Sequence, residues 1–199
     1  MKILNSLFIG ILILTSFSVN SEVLPNPQKD GGTPLMEVIA ARKSSRDISA
    51  TSVVTKQDLS NMLWAGWGIT HEDKHTIATA VNRQELSLYV ITATEISKYN
   101  PEANTLTTVN KGDFRNFAAM QDFGKTAPVN IAFVVDTAKE KVPEFYGYAA
   151  GAASQNIYLY CAQAGLKTVL RASFDVQGLT KALKLGANEK VIFVQSVGK

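Results

Sequence analysis

Val129-Asn130-Ile131-Ala132-Phe133-Val134-Val135 is a nearly continuous apolar run, short enough to be a strand buried on both faces. Ala127-Pro128 leads the chain into it, and residues 144–164 beyond it read as the longest helix, with Gly165 as a natural C-cap. Downstream, residues 168–171 predict a short strand, Asp175 can cap a helix running to residue 184, and residues 191–197 predict a final buried strand. Within the long helix, Ala149-Ala150-Gly151-Ala152-Ala153-Ser154 is narrow enough to let another helix approach closely.

Upstream, residues 86–93 begin the strand content with Leu88, Tyr89, Val90 and Ile91. The turn residues Asn100-Pro101-Glu102-Ala103-Asn104 predict a surface hairpin joining residues 96–99 to 105–109, and residues 113–120 predict a short helix. Nearer the start, Thr33 as N-cap and Pro34 as first helical residue open a helix to Ala41, with Leu35, Met36, Ile39 and Ala40 on its apolar side. Thr55-Lys56-Gln57-Asp58 has capping-box form ahead of Leu59, Met62, Leu63 and Trp67 at helical spacing, and Gly68 stops that run. Residues 71–80 read as a loop. Helices first and mixed strands and helices after predict an α+β layered domain. There is no internal repeat, so residues 34–199 read as one domain behind an extended lead-in, residues 22–33, punctuated by Pro25, Pro27 and Gly31-Gly32.

The 199 residues carry a formal net charge of +3 and suffice for one sizeable core. Lysines and arginines are scattered rather than massed in a stripe, which argues against nucleic acid as a partner. Met1-Lys2 followed by the apolar residues 3–17 has the form of a secretory signal peptide and is too short for a comfortable membrane span. Val19 and Ser21 are small enough to precede a cut, so residues 1–21 are expected to be removed, leaving an exported protein, periplasmic or secreted, with no stable membrane anchor. The single cysteine, Cys161, cannot form an internal disulfide and reads as a buried, inert thiol in an apolar helical run.

For chemistry, the candidate is Arg42-Lys43-Ser44-Ser45-Arg46 at the end of the first helix. Two guanidinium forks around hydroxyls suit a phosphate or carboxylate, although a charge cluster at a helix end is also what a solvated face looks like. No glycine-rich phosphate loop follows a strand, and no nucleophile, base and orienting acid are set together. His71 and His75, beside Glu72 and Asp73, read as a polar surface turn rather than a metal pair, so no metal is expected. Trp64 and Trp67 read as core or interface residues.

Taken with Asn82-Arg83-Gln84 and Leu170-Arg171-Ala172-Ser173-Phe174-Asp175, the cluster resembles elements of the FMN-dependent nitroreductase family, and more closely its SagB-type branch related to azoline-oxidising dehydrogenases. Arg42, Ser44 and Arg46 match an R-x-S-x-R element after an early helix, and Asn82 and Gln84 match a later N-x-Q element. Gln121-Asp122-Phe123-Gly124-Lys125-Thr126-Ala127-Pro128 and Ser154-Gln155-Asn156-Ile157-Tyr158-Leu159-Tyr160, followed by Gly165-Leu166, are similar to the same branch in order and spacing. The likeness runs from about residue 35 to residue 198.

The resemblance implies a three-layer α+β fold, its mixed and mainly antiparallel central sheet packed by helices, and a homodimer with FMN at the subunit interface. It implies that Arg42, Ser44 and Arg46 hold the flavin phosphate and ribityl side, and that Asn82 and Gln84 bond polar edges of the cofactor. Arg171 and the backbone at Ala172 and Ser173 would lie beside the isoalloxazine ring. The implied activity is an oxidoreductase that moves electrons through flavin to or from a small molecule, using a small-molecule donor and acceptor. The rival is a non-catalytic flavin-binding or interaction protein that keeps the fold. Ala78-Thr79 stands where relatives often have Pro-Ser, and Val197-Gly198-Lys199 stands where many relatives continue to a further phosphate-binding basic residue. The export signal lacks a twin-arginine feature, so FMN is expected to be acquired after export.

Overall fold

The computed structural model describes residues 20–199. The strands are β1 (Ser21–Val23), β2 (Ile69–His71), β3 (Lys74–His75), β4 (Leu86–Ile91), β5 (Glu95–Asn100), β6 (Thr105–Lys111), β7 (Val129–Asp136), β8 (Lys167–Arg171) and β9 (Glu189–Gly198). The helices are α1 (Leu35–Ala41), α2 (Lys56–Trp67), α3 (Arg115–Ala118), α4 (Asp122–Thr126), α5 (Pro143–Gln163) and α6 (Val176–Ala182). Seven strands form one sheet in the order β1-β6-β5-β4-β7-β9-β8, with every ladder antiparallel.

The apolar run that became β7 lies next to the centre of that sheet, and its alternation divides the core. Val129, Ile131, Phe133 and Val135 share one cluster with Leu86, Leu88 and Val90 of β4, with Met62 and Leu63 of α2, and with Ala149, Ala153 and Ile157 of α5. Ala132 and Val134 face the opposite cluster with Tyr89, Ile91, Ala118 of α3 and Leu179 of α6. Helices thus cover both faces, which is why β7 carries apolar residues on both. Phe133 and Ile131 are fully buried, and side chains of this size stabilise the fold by roughly 1.5–3 kcal/mol each.

Three alanines of α5 serve packing inside the chain, whereas Gly147 and Gly151 face open space. Ala149, Ala150 and Ala153 are fully buried, and on the facing side of α2 a Cβ at Gly66 would meet Ile157 Cδ1 at 3.0 Å. The α2 capping box is present, with Thr55 and Asp58 bonding each other's backbone N–H groups, and Gly68 is the C-cap. Gly165, at a φ of 66°, turns the chain after α5 into β8.

Several local expectations are corrected. Thr33 does not cap α1, which begins at Leu35 with Pro34 at its N-cap and no side-chain cap bond. The lead-in is partly a strand, since β1 pairs with β6 and Leu24 behind it is buried. The hairpin of β5 and β6 is built into the main sheet rather than lying on the surface, with Ile96, Tyr99 and Leu106 buried. The stretch 71–80 holds most of the small β2–β3 hairpin, where His75 stacks on Trp67 with ring centroids 3.6 Å apart. The helix expected over residues 113–120 is a single turn, α3, followed by a second short helix, α4. Of the expected signal peptide, residues 1–19 lie outside the described residues, and the expected cut after Ser21 falls within β1.

Candidate functional site

The cationic cluster becomes a strap along the sheet's edge. Arg42 is the C-cap of α1, its N–H bonded to Val38 O at 3.0 Å. The chain then turns onto β8, where Ser45 N–H donates to Thr168 O at 2.9 Å and Asp47 pairs with Lys167 at 2.7 Å. Buried Ile48 comes next, and Ser49 N–H donates to Lys199 O at 2.8 Å while Lys199 N–H donates to Ser52 Oγ at 2.9 Å. The last residue is therefore laced into the same strap.

Tyr158 supports the strap from beneath. Its hydroxyl lies 2.9 Å from Ser44 Oγ and 2.8 Å from the Leu170 N–H, and the Arg42 guanidinium sits 5.4 Å over its ring. Arg42, Lys43 and Arg46 form no ion pair among the described residues, whereas neighbouring Lys167 has Asp47. Cations left without a carboxylate beside an exposed serine hydroxyl suit an anionic ligand. The tyrosine is a support to which sequence reading assigned no role; its signal was its place in the family-like segment Ser154 to Tyr160 on α5.

At the far end of β8, Arg171 is buried and faces inward. Its Nη1 donates to Ala118 O and Ser173 O at 3.0 and 3.1 Å, and its Nη2 to Asn130 Oδ1 and Ser196 Oγ at 3.0 and 2.8 Å. Phe123 covers the guanidinium at 5.8 Å, and burial lowers its pKa to about 10, so it stays charged at neutral pH. The group ties the α3–α4 segment and the residue 172–174 loop to the sheet. Asn130 completes the tie by donating to Gly124 O at 2.9 Å. A lone asparagine inside an apolar strand was the available clue to this node.

Ala172 is exposed, and Ser173 Oγ donates to Gln121 Oε1 at 2.9 Å. Beside this loop, a cavity of about 580 Å³ is lined by Phe117, Met120, Phe174 and Val176, among others. A larger cavity, about 730 Å³, lies between residues 28–38, α2 and α5, and none of the sequence-predicted site residues lines it.

Asn82 and Gln84 stand elsewhere. Asn82 ends a 3₁₀ turn over Ala80–Asn82 and Gln84 follows it, and Val81, Asn82 and Gln84 have φ values of 44°, 56° and 52°. A β-branched residue in the left-handed region is a genuine outlier, and strain of this kind collects at ligand sites. Gln84 Nε2 donates to Asp73 O at 2.7 Å, and Asn82 Nδ2 reaches Asp73 Oδ2 at 3.4 Å. The turn opens into β4 at Leu86, which pairs with Val135, whereas the strap lies against Thr168, level with Val197 and Val129. Six residues of β7 separate those levels, roughly 20 Å along the strand. Within one chain, Arg42 and Ser44 meet on Tyr158, Arg46 follows on the same strap, and β8 links the strap to Arg171, Ala172 and Ser173, but Asn82 and Gln84 are not brought to them.

Next to that element Glu85 is almost fully buried, and neither carboxyl oxygen has a partner in another described residue. Burial, helped by the Glu140 charge, raises its pKa. Glu140 is held below the ordinary range by the Val142 N–H and by Arg83, 2.6 Å away. With its folded-state pKa raised, Glu85 contributes to stability fully below the ordinary carboxylate range and loses that contribution as pH climbs through the folded value. Glu85→Gln should therefore stabilise the protein at neutral pH by roughly 1–3 kcal/mol, with the gain shrinking in acid. Thermal melts of both proteins across about pH 4 to 8 check this; a Tm difference independent of pH would refute it. Cys161 is fully buried, its thiol pushed up to about 12 by burial.

A model of the Nitroreductase family matches residues 39–199 of the chain. A nitroreductase-type protein of Methanocaldococcus jannaschii is 26% identical over 184 residues, covering 83% of this chain and 90% of that one. Among solved structures, a nitroreductase-type protein of Ralstonia eutropha JMP134 superposes with a TM-score of 0.83 at 29% identity, covering 96% of this chain and 95% of its own. Another, from Desulfovibrio desulfuricans in complex with FMN, superposes with a TM-score of 0.60 at 22% identity, covering 84% and 87%, a likeness of fold.

Proposed function

The chain belongs to the nitroreductase family, and from that membership we propose that it is an exported FMN-dependent oxidoreductase of the SagB-type branch, acting on a small molecule as a homodimer. The observation that carries the reading is the strap, where Arg42, Lys43 and Arg46 stand without a carboxylate partner among the described residues around the Ser44 hydroxyl. That donor set fits a phosphate monoester. Arg42, Ser44 and Arg46 would hold the FMN phosphate, with Lys199 close by through its backbone bonds to Ser49 and Ser52.

When bound, FMN supplies the redox chemistry, accepting and releasing electrons between a donor and an acceptor. The protein positions and tunes it. Ala172 and Ser173, on a loop fixed by Arg171, would present backbone N–H groups to the ring's polar edge, a neutral way to favour electron density there. Asn82 and Gln84 would serve the same cofactor from the partner subunit, since in their own chain they lie at the far end of the sheet. Exposed apolar side chains on α1 and α5, among them Leu35, Met36 and Tyr148, and open space at Gly147 and Gly151 support a helical contact between two chains.

The mature protein is expected to show a flavin visible spectrum, stoichiometric FMN and a dimer mass in sedimentation. If added FMN neither binds nor is reduced by any donor tested, the reading fails. Bound FMN without turnover on any acceptor would favour the non-catalytic alternative.

A further inference from the structure

We propose that Tyr158 is a positioning residue that sets the polarity of the strap, forcing Ser44 to act as a hydrogen-bond donor and so making the site selective for a phosphorylated flavin. The inference rests on the FMN reading and adds a residue and a specificity to it.

The argument runs on protons. The Leu170 N–H, 2.8 Å away, can only donate, so at that contact the Tyr158 oxygen accepts. The phenol is buried, and a buried O–H is almost always paired. Among the described residues its remaining partner is Ser44 Oγ, 2.9 Å away, so the phenolic O–H donates there. Ser44 thus spends a lone pair on Tyr158 and keeps its own O–H, for which no described residue offers an acceptor. That proton is on an exposed residue flanked in sequence by Arg42 and Arg46, whose guanidinium groups carry donors alone. The Ser44 O–H then points outward as a donor, and an unprotonated phosphate oxygen, which accepts charge-assisted bonds, suits it and the guanidinium groups better than a ribityl hydroxyl, which accepts more weakly and brings a proton of its own. The same ring carries the Arg42 guanidinium on its face, so one side chain orients two of the three proposed phosphate ligands.

The test measures FMN and riboflavin affinities for wild type, Tyr158→Phe, Ser44→Ala and the double variant by flavin fluorescence titration, with a thermal melt of each. Wild type should prefer FMN. Tyr158→Phe keeps the ring under Arg42 and should weaken FMN binding about tenfold while leaving riboflavin binding unchanged within about twofold. Ser44→Ala should do the same, and the double variant should lose little more than either single one, because both act through one bond. If Tyr158→Phe fails to fold, an undiminished FMN preference in Ser44→Ala still overturns the proposal. Equal weakening of both flavins, or additive losses in the double variant, would overturn the proposal while leaving the FMN reading standing. Wild type that binds neither flavin would overturn both.

Discussion

Changing Arg42 and Arg46 together to alanine should strip the protein of FMN. Both guanidinium groups stand on an edge strap without a carboxylate partner among the described residues, so a phosphate there would meet charge-assisted bonds undiluted by ion pairs to them. Such a bond is worth roughly 1.5–3 kcal/mol, so losing two should weaken binding by about a hundredfold to ten-thousandfold. The fold should barely notice, because Arg46 is exposed and Arg42 touches Tyr158 only through its ring face. Stability is expected to move by about 1 kcal/mol or less. Lysine at both positions should restore part of the affinity, since a point charge replaces the field of a guanidinium but not its fork. Raising salt should weaken wild-type binding and have little effect on what remains in the double variant. Fluorescence titration with parallel melts decides the matter: a double alanine variant holding FMN as tightly as wild type would remove the strap from the site and return it to a solvated helix end.

The parts of this molecule legible in sequence are those where one segment's own pattern determines its state. β7 and β9 are apolar runs of strand length, α5 is long and ends at Gly165, and α2 announces itself through Thr55 and Asp58. What escaped is structure conferred by a partner. β1 is a three-residue strand that exists because residues 105–107 of β6 offer an edge, and nothing in Ser21-Glu22-Val23 says so. The β2–β3 hairpin is too short to show a period of two. The site divides in the same way. Arg42, Ser44 and Arg46 are legible as a spaced motif, but their seat on β8 depends on the bond to Thr168 O, the Asp47–Lys167 pair and Tyr158, all with partners more than a hundred residues later in the chain. Asn82 and Gln84 belong to the same ordered pattern, yet in one chain they lie at the other end of β4 and β7 from the strap, a separation that a linear motif does not encode.

Arg171 is where motif and geometry part, and its replacement carries the second large effect. Read as a motif it stands beside a flavin, but its guanidinium turns inward onto Ala118 O, Ser173 O, Asn130 Oδ1 and Ser196 Oγ. Arg171→Met should keep much of the buried volume and delete every one of those bonds. Asn130 and Ser196 still have each other at 2.5 Å, whereas the buried carbonyl of Ala118 is left short of a donor. Leaving buried acceptors unpaired costs about 1–3 kcal/mol apiece, partly offset because a desolvated charge is also removed, so a net loss of about 3 kcal/mol is expected. For a chain of this size that lowers Tm by roughly 6–12 °C. Arg171→Lys separates charge from shape: an ammonium on a flexible stem cannot span four acceptors drawn from β7, β9, α3 and the residue 172–174 loop, so lysine should rescue little. Amide exchange should quicken at Met120 and Gly124, whose N–H bonds to Ser173 O and Gln121 O depend on the segment Arg171 holds down. A Tm within about 2 °C of wild type in Arg171→Met would mean that these acceptors re-pair without the guanidinium. FMN affinity in the same variant then shows how far a buried group governs the loop proposed to touch the cofactor.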